Sequence, residues 1–579
     1  MEKWIIRNRK VDLDKVSKET GSSKFICKLL SNRNITDADK IKDFLFPKIE
    51  ELHSPYELKD MDKAVKIIIE KINSKKKIRI TGDYDCDGVI STFILITAFR
   101  RLNADVDFVI PDRIVDGYGI NINIIDKAIN DKIDTIITCD NGIAAVEQIK
   151  YAKENGVTVI VTDHHDIPSE KVMADAVINP KQMECNYPFD KICGAVVALK
   201  LVQALYKEFN IPDSEHYKLI QYAAIATVCD VVDLVDENRA IVKIGLDQIK
   251  NTKNKGLLKL IKEAGLEGKE ITTYSLGFVI GPCINATGRL DTAVKGVELL
   301  LEEDEDKASK LAKELVELNS ERKDMTAEGV EQTIEIIETT PIKNDKVFVI
   351  YNKNIHESIA GIVAGRIKER YNVPTIVLTK SEKGVKGSAR SIEEYNMFLE
   401  LNKCKSLLTK FGGHPMAAGL SLEEEDINAL RLKLNENTTL THEDLIPKVY
   451  IDMAVDFKSI SYRLIDEIAK LEPYGKANPK PLFGVKNVSV LGARILGKNN
   501  NVLKLKLSKE NIAIDCIYFG EIDDFIDTVT QNYGKDQYDR MINGKISRIK
   551  LDMVYYPDIN EYNGYKSLQI VMQKYRVSK

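Results

Sequence analysis

The pattern of hydrophobic and polar residues predicts an α/β region between residue 77 and about residue 161. Short runs of β-branched residues alternate there with amphipathic segments of helical length. The runs lie at 78–81, 106–110, 135–138 and 157–161, and the segments between them lie at 89–102, 121–130 and 143–154. Such alternation is typical of βαβ units, so we predict a mainly parallel sheet with helices on its faces.

The rest of the chain is predicted to be helical at first and richer in strands towards its end. Residues 1–75 have a polar, helical pattern, and residues 195–270 are mainly helical. The helical stretch from about 292 to 339 is interpreted as one rigid connector between domains. A second α/β segment covers about 345–440, and the chain is β-rich from about 449 onwards.

Composition places the chain among soluble globular proteins. Lys and Arg number 84 against 88 Asp and Glu, a net charge of −4, and 44% of the residues are hydrophobic. This balance excludes disordered and fibrous classes. No stretch approaches the roughly 18 consecutive apolar residues of a membrane-spanning helix, and charge interrupts the N-terminus too early for a signal peptide. The nine cysteines include no C-x-x-C pair, which favours a reducing, cytoplasmic setting over disulfides or a zinc site.

Acidic and imidazole side chains follow three of the predicted strands. They are Asp83, Asp85 and Asp87 after 78–81, Asp140 after 135–138, and Asp163, His164 and His165 after 157–161. In open α/β sheets ligands bind at the carboxyl ends of the strands. We therefore expect these side chains to converge in one crevice.

Such a convergence predicts a site for divalent cations. Neighbouring carboxylates repel one another unless cations hold them, and oxygen and imidazole ligands without thiolate suit Mg²⁺ or Mn²⁺. Asp85 and Asp87 are spaced to face different ions, and a carboxylate such as Asp140 could bridge two ions about 3.5–4 Å apart. One Asp at a strand end is usually a helix cap or a turn residue. Three such groups at three strand ends instead indicate a metal-dependent hydrolase.

These motifs and their order resemble the DHH phosphoesterase superfamily, and within it the RecJ family of single-strand-specific exonucleases. The triplet that names the superfamily is Asp163-His164-His165, and the first acidic motif is GDYDCDG at 82–88. Further matching motifs lie at 111–113, 116–119, 227–234, 285–290, 356–357, 361–364, 387–391, 412–414, 471–475 and 478–479. The resemblance covers nearly the whole chain.

The resemblance implies an α/β fold with four parts behind an N-terminal extension. A DHH catalytic domain with a mainly parallel sheet is expected over 76–290, and a long connecting helix over 291–340. A DHHA1 α/β domain is expected over 341–445, and an OB-like, nucleic-acid-binding β-barrel over 446–579. Residues 1–75 are expected to form a helical extension that packs on the DHH domain.

The resemblance also implies two divalent cations, Mn²⁺ or Mg²⁺, that share one ligand. The ligands carried over by position are Asp85 and Asp140 for one ion, and Asp87, Asp140, His164 and Asp230 for the other. Many superfamily members have a metal-binding histidine four residues before Asp85, where this chain has Thr81. Asp83 or water is therefore expected to complete the first site.

Beyond the metal ligands, the resemblance implies catalytic roles for two residues besides Asp140. His165 is expected beside the scissile phosphate, as a charge stabiliser or as a proton donor to the leaving oxygen. Asp163 is expected to orient the histidine pair. The implied enzyme is a metal-dependent exodeoxyribonuclease that digests single-stranded DNA 5′→3′ to 5′-mononucleotides in DNA repair and recombination. A monomer is implied, with single-strand-binding protein and a RecQ-type helicase as partners.

Substrate phosphates are expected to be held by arginines and by two glycine-rich loops. The candidates are Arg113, Arg289, Ser388, Arg390, Gly413 and His414. Backbone N–H groups, a hydroxyl and a guanidinium match the geometry of a phosphate. For either loop considered alone, a simple tight turn is a serious alternative.

Two other functions are compatible with parts of this pattern. A DHH enzyme that cleaves short oligonucleotides or cyclic dinucleotides would share the metal site, but it would leave the region after residue 446 without a role. A non-catalytic RecJ-like protein would only bind single strands. Such a protein is expected to have lost metal ligands, whereas this chain retains the whole set.

Overall fold

The computed structural model describes residues 2–381, 384–497 and 499–578. The chain forms two compact units, one made of residues 1–48 and 448–579 and the other of residues 49–447. Among the described residues, no helix combines the length and the apolar character that crossing a membrane requires.

The first 48 residues belong to the same unit as the C-terminal region. Their elements are β1 (Lys3–Ile6), α1 (Leu13–Thr20), α2 (Lys24–Ser31) and α3 (Ala38–Leu45). Leu29, Leu30 and Ile41 on these helices share one hydrophobic core with side chains of the C-terminal β-barrel. The expectation that residues 1–75 pack on the DHH domain is therefore wrong for residues 1–48. An amphipathic helix specifies that one face is buried, but not which distant segment covers it.

Residues 49–178 form the predicted parallel sheet with its helices. The elements are α4 (Met61–Asn73), β2 (Ile78–Thr81), α5 (Cys86–Arg101), β3 (Val106–Val109), α6 (Ile122–Asn130), β4 (Thr135–Cys139), α7 (Val146–Glu154), β5 (Thr158–Thr162) and β6 (Ala176–Ile178). The five strands are all parallel, in the order β3-β2-β4-β5-β6. Strand β6 was not predicted, because three residues are too few to show a hydrophobic pattern typical of a strand.

Helices make up the chain from residue 194 to residue 339. They are α8 (Gly194–Glu208), α9 (Asp213–Tyr217), α10 (Ile220–Cys229), α11 (Asp236–Ile249), α12 (Lys255–Glu263), α13 (Thr273–Ser275), α14 (Gly281–Leu290), α15 (Val294–Leu301) and α16 (Glu305–Thr339). A π-helical segment, Leu276–Ile280, joins α13 to α14. The predicted stretch 292–339 is interrupted before α16, because the Asp304 side chain accepts a hydrogen bond from the Lys307 N–H and caps a new helix there.

The second α/β region is a mixed five-stranded sheet with three helices. Its elements are β7 (Phe348–Tyr351), α17 (Ala360–Tyr371), β8 (Thr375–Lys380), β9 (Val385–Arg390), α18 (Met397–Lys403), β10 (Lys410–His414), β11 (Ala417–Leu422) and α19 (Ile427–Asn437). The strand order is β10-β11-β9-β8-β7, and only β7 and β8 are parallel.

The two glycine-rich segments expected as loops are strands of this sheet. Ser388 in β9 and Gly412 in β10 both pair with Gly419 in the intervening strand β11. At Gly387 a Cβ atom would lie 2.3 Å from Leu378 Cδ2, so the glycine permits close packing within the sheet. In this sheet the glycines allow neighbouring residues to pack closely, and they do not form turns.

The C-terminal region is a closed β-barrel with flanking helices. Its elements are β12 (Lys448–Ile451), β13 (Met453–Ala454), α20 (Tyr462–Ala469), β14 (Phe483–Leu496), β15 (Val502–Lys509), β16 (Ile512–Tyr518), α21 (Ile522–Tyr533), α22 (Lys535–Ile542), β17 (Lys550–Tyr562) and β18 (Tyr565–Val577). Strands β14-β15-β16-β18-β17 pair in that order, and β17 pairs again with β14 to close the ring. Five strands closed in this way form an OB-like barrel. Strand β12 pairs in parallel with β1.

Candidate active site

Asp85 and Asp87 are held by the first turns of two helices. Asp85 caps α5, and its Oδ1 accepts hydrogen bonds from the N–H groups of Asp87 (2.9 Å) and Gly88 (3.0 Å). The Asp87 carboxylate accepts hydrogen bonds from the N–H groups of Gly194 (2.6 Å) and Ala195 (2.8 Å) at the start of α8. Two helix N-termini thus orient these carboxylates at the end of β2.

Asp140 directly follows strand β4 and has a left-handed conformation, with φ at 61°. The hydroxyl of Tyr118 donates a hydrogen bond to the Asp140 carbonyl oxygen at 3.0 Å. Gly194 lies directly against the Asp140 side chain: a Cβ atom at Gly194 would be 2.6 Å from Asp140 Cβ and 2.7 Å from Oδ1. Backbone conformation and close packing together fix the direction of this carboxylate.

Asp163 organises the two histidines that follow it. Its Oδ1 accepts hydrogen bonds from the His164 N–H (2.7 Å) and the His165 N–H (3.1 Å), and lies 2.7 Å from His165 Nδ1. Its Oδ2 accepts one from the Ile143 N–H at 2.9 Å. Burial opposes ionisation of Asp163, but the hydrogen bond and the charge of His165 outweigh burial and lower the Asp163 pKa. Burial also disfavours protonated His165, yet the bond to Asp163 raises its pKa to about 9.

The structure brings all seven sequence-predicted metal and histidine side chains into three overlapping clusters, each with its ligand atoms within 4.8 Å of one another. The clusters are Asp83, Asp85 and Asp140; Asp87, His164 and Asp230; and Asp140, His164 and His165. From His164 Nε2 the distances are 3.1 Å to Asp140 Oδ1, 3.7 Å to Asp87 Oδ2 and 3.8 Å to Asp230 Oδ2. Asp140 therefore lies between two groups of ligands, as a shared ligand must.

The chemistry of these atoms fits divalent cations. Asp83 Oδ1, Asp140 Oδ1 and His164 Nε2 are buried and have no hydrogen-bond partner within the described chain. Burial, with repulsion from neighbouring carboxylates, raises the pKa of Asp87 to about 6 and the pKa values of Asp83 and Asp140 well above the usual range. Burial lowers the pKa of His164 to about 3, which keeps its imidazole neutral and able to bind metal. Bound cations would compensate this buried charge.

Arg113, Arg289 and Arg390 gather close to the metal ligands. Arg113 Nε donates a hydrogen bond to the Gly288 carbonyl oxygen at 3.0 Å, and its guanidinium lies 3.8 Å over the ring of Tyr84. Burial lowers the pKa of Arg289 to about 9, and the positive charges of Arg113, Arg322 and Arg390 add to this effect in that order. Burial also lowers the pKa of Arg390. Half-buried cations that repel one another form an attractive site for an anion.

The remaining predicted substrate residues lie in two places. Ser388 lies beside Arg390, since a Cβ atom on Gly361 would be 3.4 Å from Ser388 Oγ and 3.0 Å from Arg390 Nη2. Gly413 and His414 are in β10, which β11 separates from β9. His414 Nδ1 lies 3.1 Å from a carboxylate oxygen of Asp166. The predicted phosphate-binding set is therefore split, with Ser388 on the arginine side and His414 beside an acid.

Several residues of the site received no role in the sequence analysis. The Tyr118 hydroxyl contacts His165 Nδ1 at 3.2 Å, and Tyr84 supports Arg113. Asn285 Oδ1 accepts a hydrogen bond from the Cys86 N–H at 2.9 Å. Tyr84, Tyr118 and Asn285 all lie within the motifs that carry the family resemblance, so the sequence alone could have indicated that they belong to the site. Gly194 lies outside those motifs, and only the packing reveals its importance.

Replacing Gly194 by alanine is expected to weaken metal binding and to lower the thermal midpoint. The added methyl group overlaps the Asp140 carboxylate, and overpacking of this kind typically costs about 1–3 kcal/mol. A displaced ligand is expected to raise the Mn²⁺ concentration for half-maximal activity about 10–100-fold. Activity titrated against Mn²⁺ and calorimetry measure the two effects. Gly365→Ala is the control, because a Cβ atom there meets nothing within 4 Å; wild-type behaviour of both variants would contradict the prediction.

Comparison with known proteins identifies the family. Family models described as "DHH family, N-terminal domain", "DHHA1 domain" and "RecJ OB domain" match residues 77–227, 344–439 and 451–574. The single-stranded-DNA-specific exonuclease RecJ of Bacillus subtilis is 37% identical over 583 residues, which cover 100% of this chain and 71% of that relative. The chain belongs to the RecJ family. The resemblance seen in the motifs and the fold of DHH, DHHA1 and OB-like domains are thereby confirmed.

Other RecJ proteins support the same assignment. The RecJ exonuclease of Haemophilus influenzae is 32% identical over 543 residues, covering 90% of this chain and 92% of that relative. Thermus thermophilus RecJ in complex with Mn²⁺ is a solved structure that matches with a TM-score of 0.83 and 25% identity, covering 99% of this chain and 79% of that one. A complex of the same RecJ with Mg²⁺ matches with a TM-score of 0.77. That relative is known with either of the ions that the present ligand set suits.

Proposed function

We propose that this chain is an exonuclease specific for single-stranded DNA, which digests its substrate 5′→3′ and releases 5′-mononucleotides. The observation that carries the proposal is the position of a half-buried arginine cluster beside the largely buried cluster of carboxylates and imidazoles. Arg289 and Asp85 are close enough for the charge of the aspartate to act on the arginine. One site attracts an anion, and the adjacent site is built for metal-dependent hydrolysis.

The metal ligands divide between two cations, Mn²⁺ or Mg²⁺. Asp83 and Asp85 would hold one ion, Asp87, His164 and Asp230 would hold the other, and Asp140 would serve both. When bound, the cations activate water and neutralise charge on the phosphate. The participation of Asp83 in a cluster with Asp85 supports its place in the first site, where Thr81 stands instead of a histidine.

His165 acts on the leaving oxygen. Asp163 binds its Nδ1 and favours the protonated ring. The other ring nitrogen, Nε2, lies 3.3 Å from the Tyr118 hydroxyl, and the leaving oxygen would replace that hydroxyl as the partner of the Nε2–H group. Release of a 5′-mononucleotide breaks the bond between phosphorus and the 3′ oxygen of the terminal nucleotide. A donor beside that oxygen stabilises the charge that develops as the bond breaks.

The arginine cluster explains the polarity and the size of the product. A terminal 5′-phosphate would compensate the half-buried charges of Arg113, Arg289 and Arg390, and Ser388 offers it a hydroxyl. The next phosphate along the strand then lies at the metal ligands. An end held in this way can be cut one nucleotide from the terminus and nowhere else.

The setting that we infer is cytoplasmic DNA repair and recombination. All nine cysteines are free, and most of them are buried, as suits a reducing compartment. Single-strand-binding protein and a RecQ-type helicase are proposed as partners on family resemblance alone, as is the monomeric state.

The function is tested with a long single strand labelled at its 5′ or its 3′ end and incubated with Mn²⁺, Mg²⁺ or EDTA. We expect immediate release of a labelled mononucleotide from the 5′ end only, and no release in EDTA. Prompt release from the 3′ end would overturn the polarity. Survival of long strands while di- to pentanucleotides vanish would favour a scavenger of short oligonucleotides. Retention of the strand without cleavage would indicate a binding protein.

A further inference from the structure

Two aromatic side chains stand exposed and stacked in the helical segment that leads to Arg289. Tyr274 is 67% exposed and Phe278 is 61% exposed. Their ring centroids are 5.0 Å apart, and the ring planes differ by 23°. Phe278 belongs to the π-helical segment Leu276–Ile280, and π-helical turns inside helices are frequent at functional sites. Neither aromatic residue belongs to the site described above.

The helical segment that carries this pair, residues 273–290, forms one wall of the metal crevice. At Gly281 a Cβ atom would lie 2.1 Å from the sulfur of Cys229, the residue before Asp230. Further along, Asn285 receives the hydrogen bond from Cys86, which lies between Asp85 and Asp87. Successive turns of the segment therefore touch residues adjacent to successive metal ligands.

The two ends of this wall have different chemistry. Arg289 of the phosphate-binding cluster is at one end, and Phe278 precedes it by eleven residues, or about 16 Å along a helix. The contacts with Cys86 and Cys229 lie between these two ends. A strand whose 5′-phosphate is held at Arg289, and whose next phosphate is at the metal ligands, continues away from Arg289. The exposed rings lie in that direction.

We propose that Tyr274 and Phe278 form a stacking platform for bases on the 3′ side of the cut. This inference rests on the exonuclease function proposed above. Aromatic faces bind successive bases without regard to sequence, which suits an enzyme that digests any single strand. The platform would hold the shortened strand after each cut, so that its new 5′ end returns to the arginine cluster.

The full-length protein is tested with a 5′-phosphorylated strand of 20 thymidines and with a 5′-phosphorylated dinucleotide, both in Mn²⁺. The double variant Tyr274→Leu/Phe278→Leu keeps apolar bulk and removes the aromatic faces. We expect its KM for the long strand to rise at least about tenfold, with kcat and dinucleotide cleavage unchanged. The swap Tyr274→Phe/Phe278→Tyr keeps both rings and is expected to behave as wild type. Phe46→Leu, at a side chain that is 60% exposed, is the matched control.

A second substrate tests whether the rings meet bases. A strand with abasic sites at its second to fifth nucleotides is expected to raise the wild-type KM by a similar factor. For the leucine double variant, the abasic strand should give the same KM as the normal strand. Once the rings are absent, removing the bases that they stack on has no further effect. An unchanged KM of the leucine variant for the normal strand, or fully additive losses, would overturn the platform. Failure of the wild-type protein to cleave either substrate would instead overturn the exonuclease function.

Discussion

Replacing Asp140 by asparagine is expected to abolish hydrolysis and to leave strand binding largely intact. Asp140 belongs to two of the three ligand clusters, and its Oδ1 is 3.1 Å from His164 Nε2. Loss of a shared ligand should cost more than the roughly 100-fold typical of the strongest outer-ligand substitutions. Release of 5′-label at saturating Mn²⁺ measures the rate, and fluorescence anisotropy measures the binding.

Asparagine is chosen because it preserves the structure around the lost charge. It tolerates the left-handed conformation of residue 140 and adds no bulk against Gly194. Asp60→Asn is the matched control, since Asp60 is also left-handed, with φ at 64°, and accepts a hydrogen bond from the Val177 N–H. We expect the Asp60 variant to retain wild-type activity. Cleavage by the Asp140 variant within tenfold of wild type would refute the shared-ligand assignment.

Replacing His165 by glutamine is expected to lower kcat by about 10²–10⁴-fold and to change KM little. A positioned proton donor typically contributes this much to a rate, and the anchoring of Nδ1 by Asp163 at 2.7 Å positions the ring. Glutamine keeps hydrogen-bonding capacity but cannot transfer a proton. His442→Gln, at an exposed histidine, is the control. Single-turnover rates at saturating enzyme isolate the chemical step.

A substrate with sulfur in place of the leaving 3′ oxygen separates the two roles considered for His165. A thiol has a pKa of about 8.5 and leaves as its anion without help, whereas an alkoxide needs a proton. If His165 is a proton donor, the deficit of the glutamine variant should shrink to less than about tenfold on the sulfur substrate. A deficit that persists undiminished would assign His165 to charge stabilisation. A glutamine variant as active as wild type on normal DNA would exclude both roles.

Much of the catalytic sheet was predictable because its signals are local. Buried parallel strands are short apolar runs, and each is followed by the polar residues that cap the next helix. Asp85, Asp140 and Asp163 therefore mark the carboxyl ends of β2, β4 and β5 in the sequence alone. Their convergence followed from one rule about parallel sheets. Asp230 has no such signal, because it ends a helix in a different region, and only family resemblance indicated it.

The errors arose where a local pattern had more than one tertiary solution. Glycines at 387 and 413 suggested loops, but they lie within strands that pack closely. Residues 1–48 have amphipathic helices that the sequence could not assign to a partner, and the partner is the barrel more than 400 residues later. The stretch 292–339 was interpreted as one rigid connector, whereas Asp304 begins a separate helix, α16, within it.

The sequence by itself determined the chemical character of this protein: which side chains are available as metal ligands, the order of its domains and the family to which it belongs. These properties depend on residue types and on spacing along the chain, and both are written in the sequence. Only the tertiary structure decided that Gly194 presses on Asp140, that Arg113 and Arg390 lie close enough to Arg289 for their charges to act on it, and that Tyr274 and Phe278 stack in the open. Such contacts join segments far apart in the chain, and they arise from close packing, which no local pattern encodes.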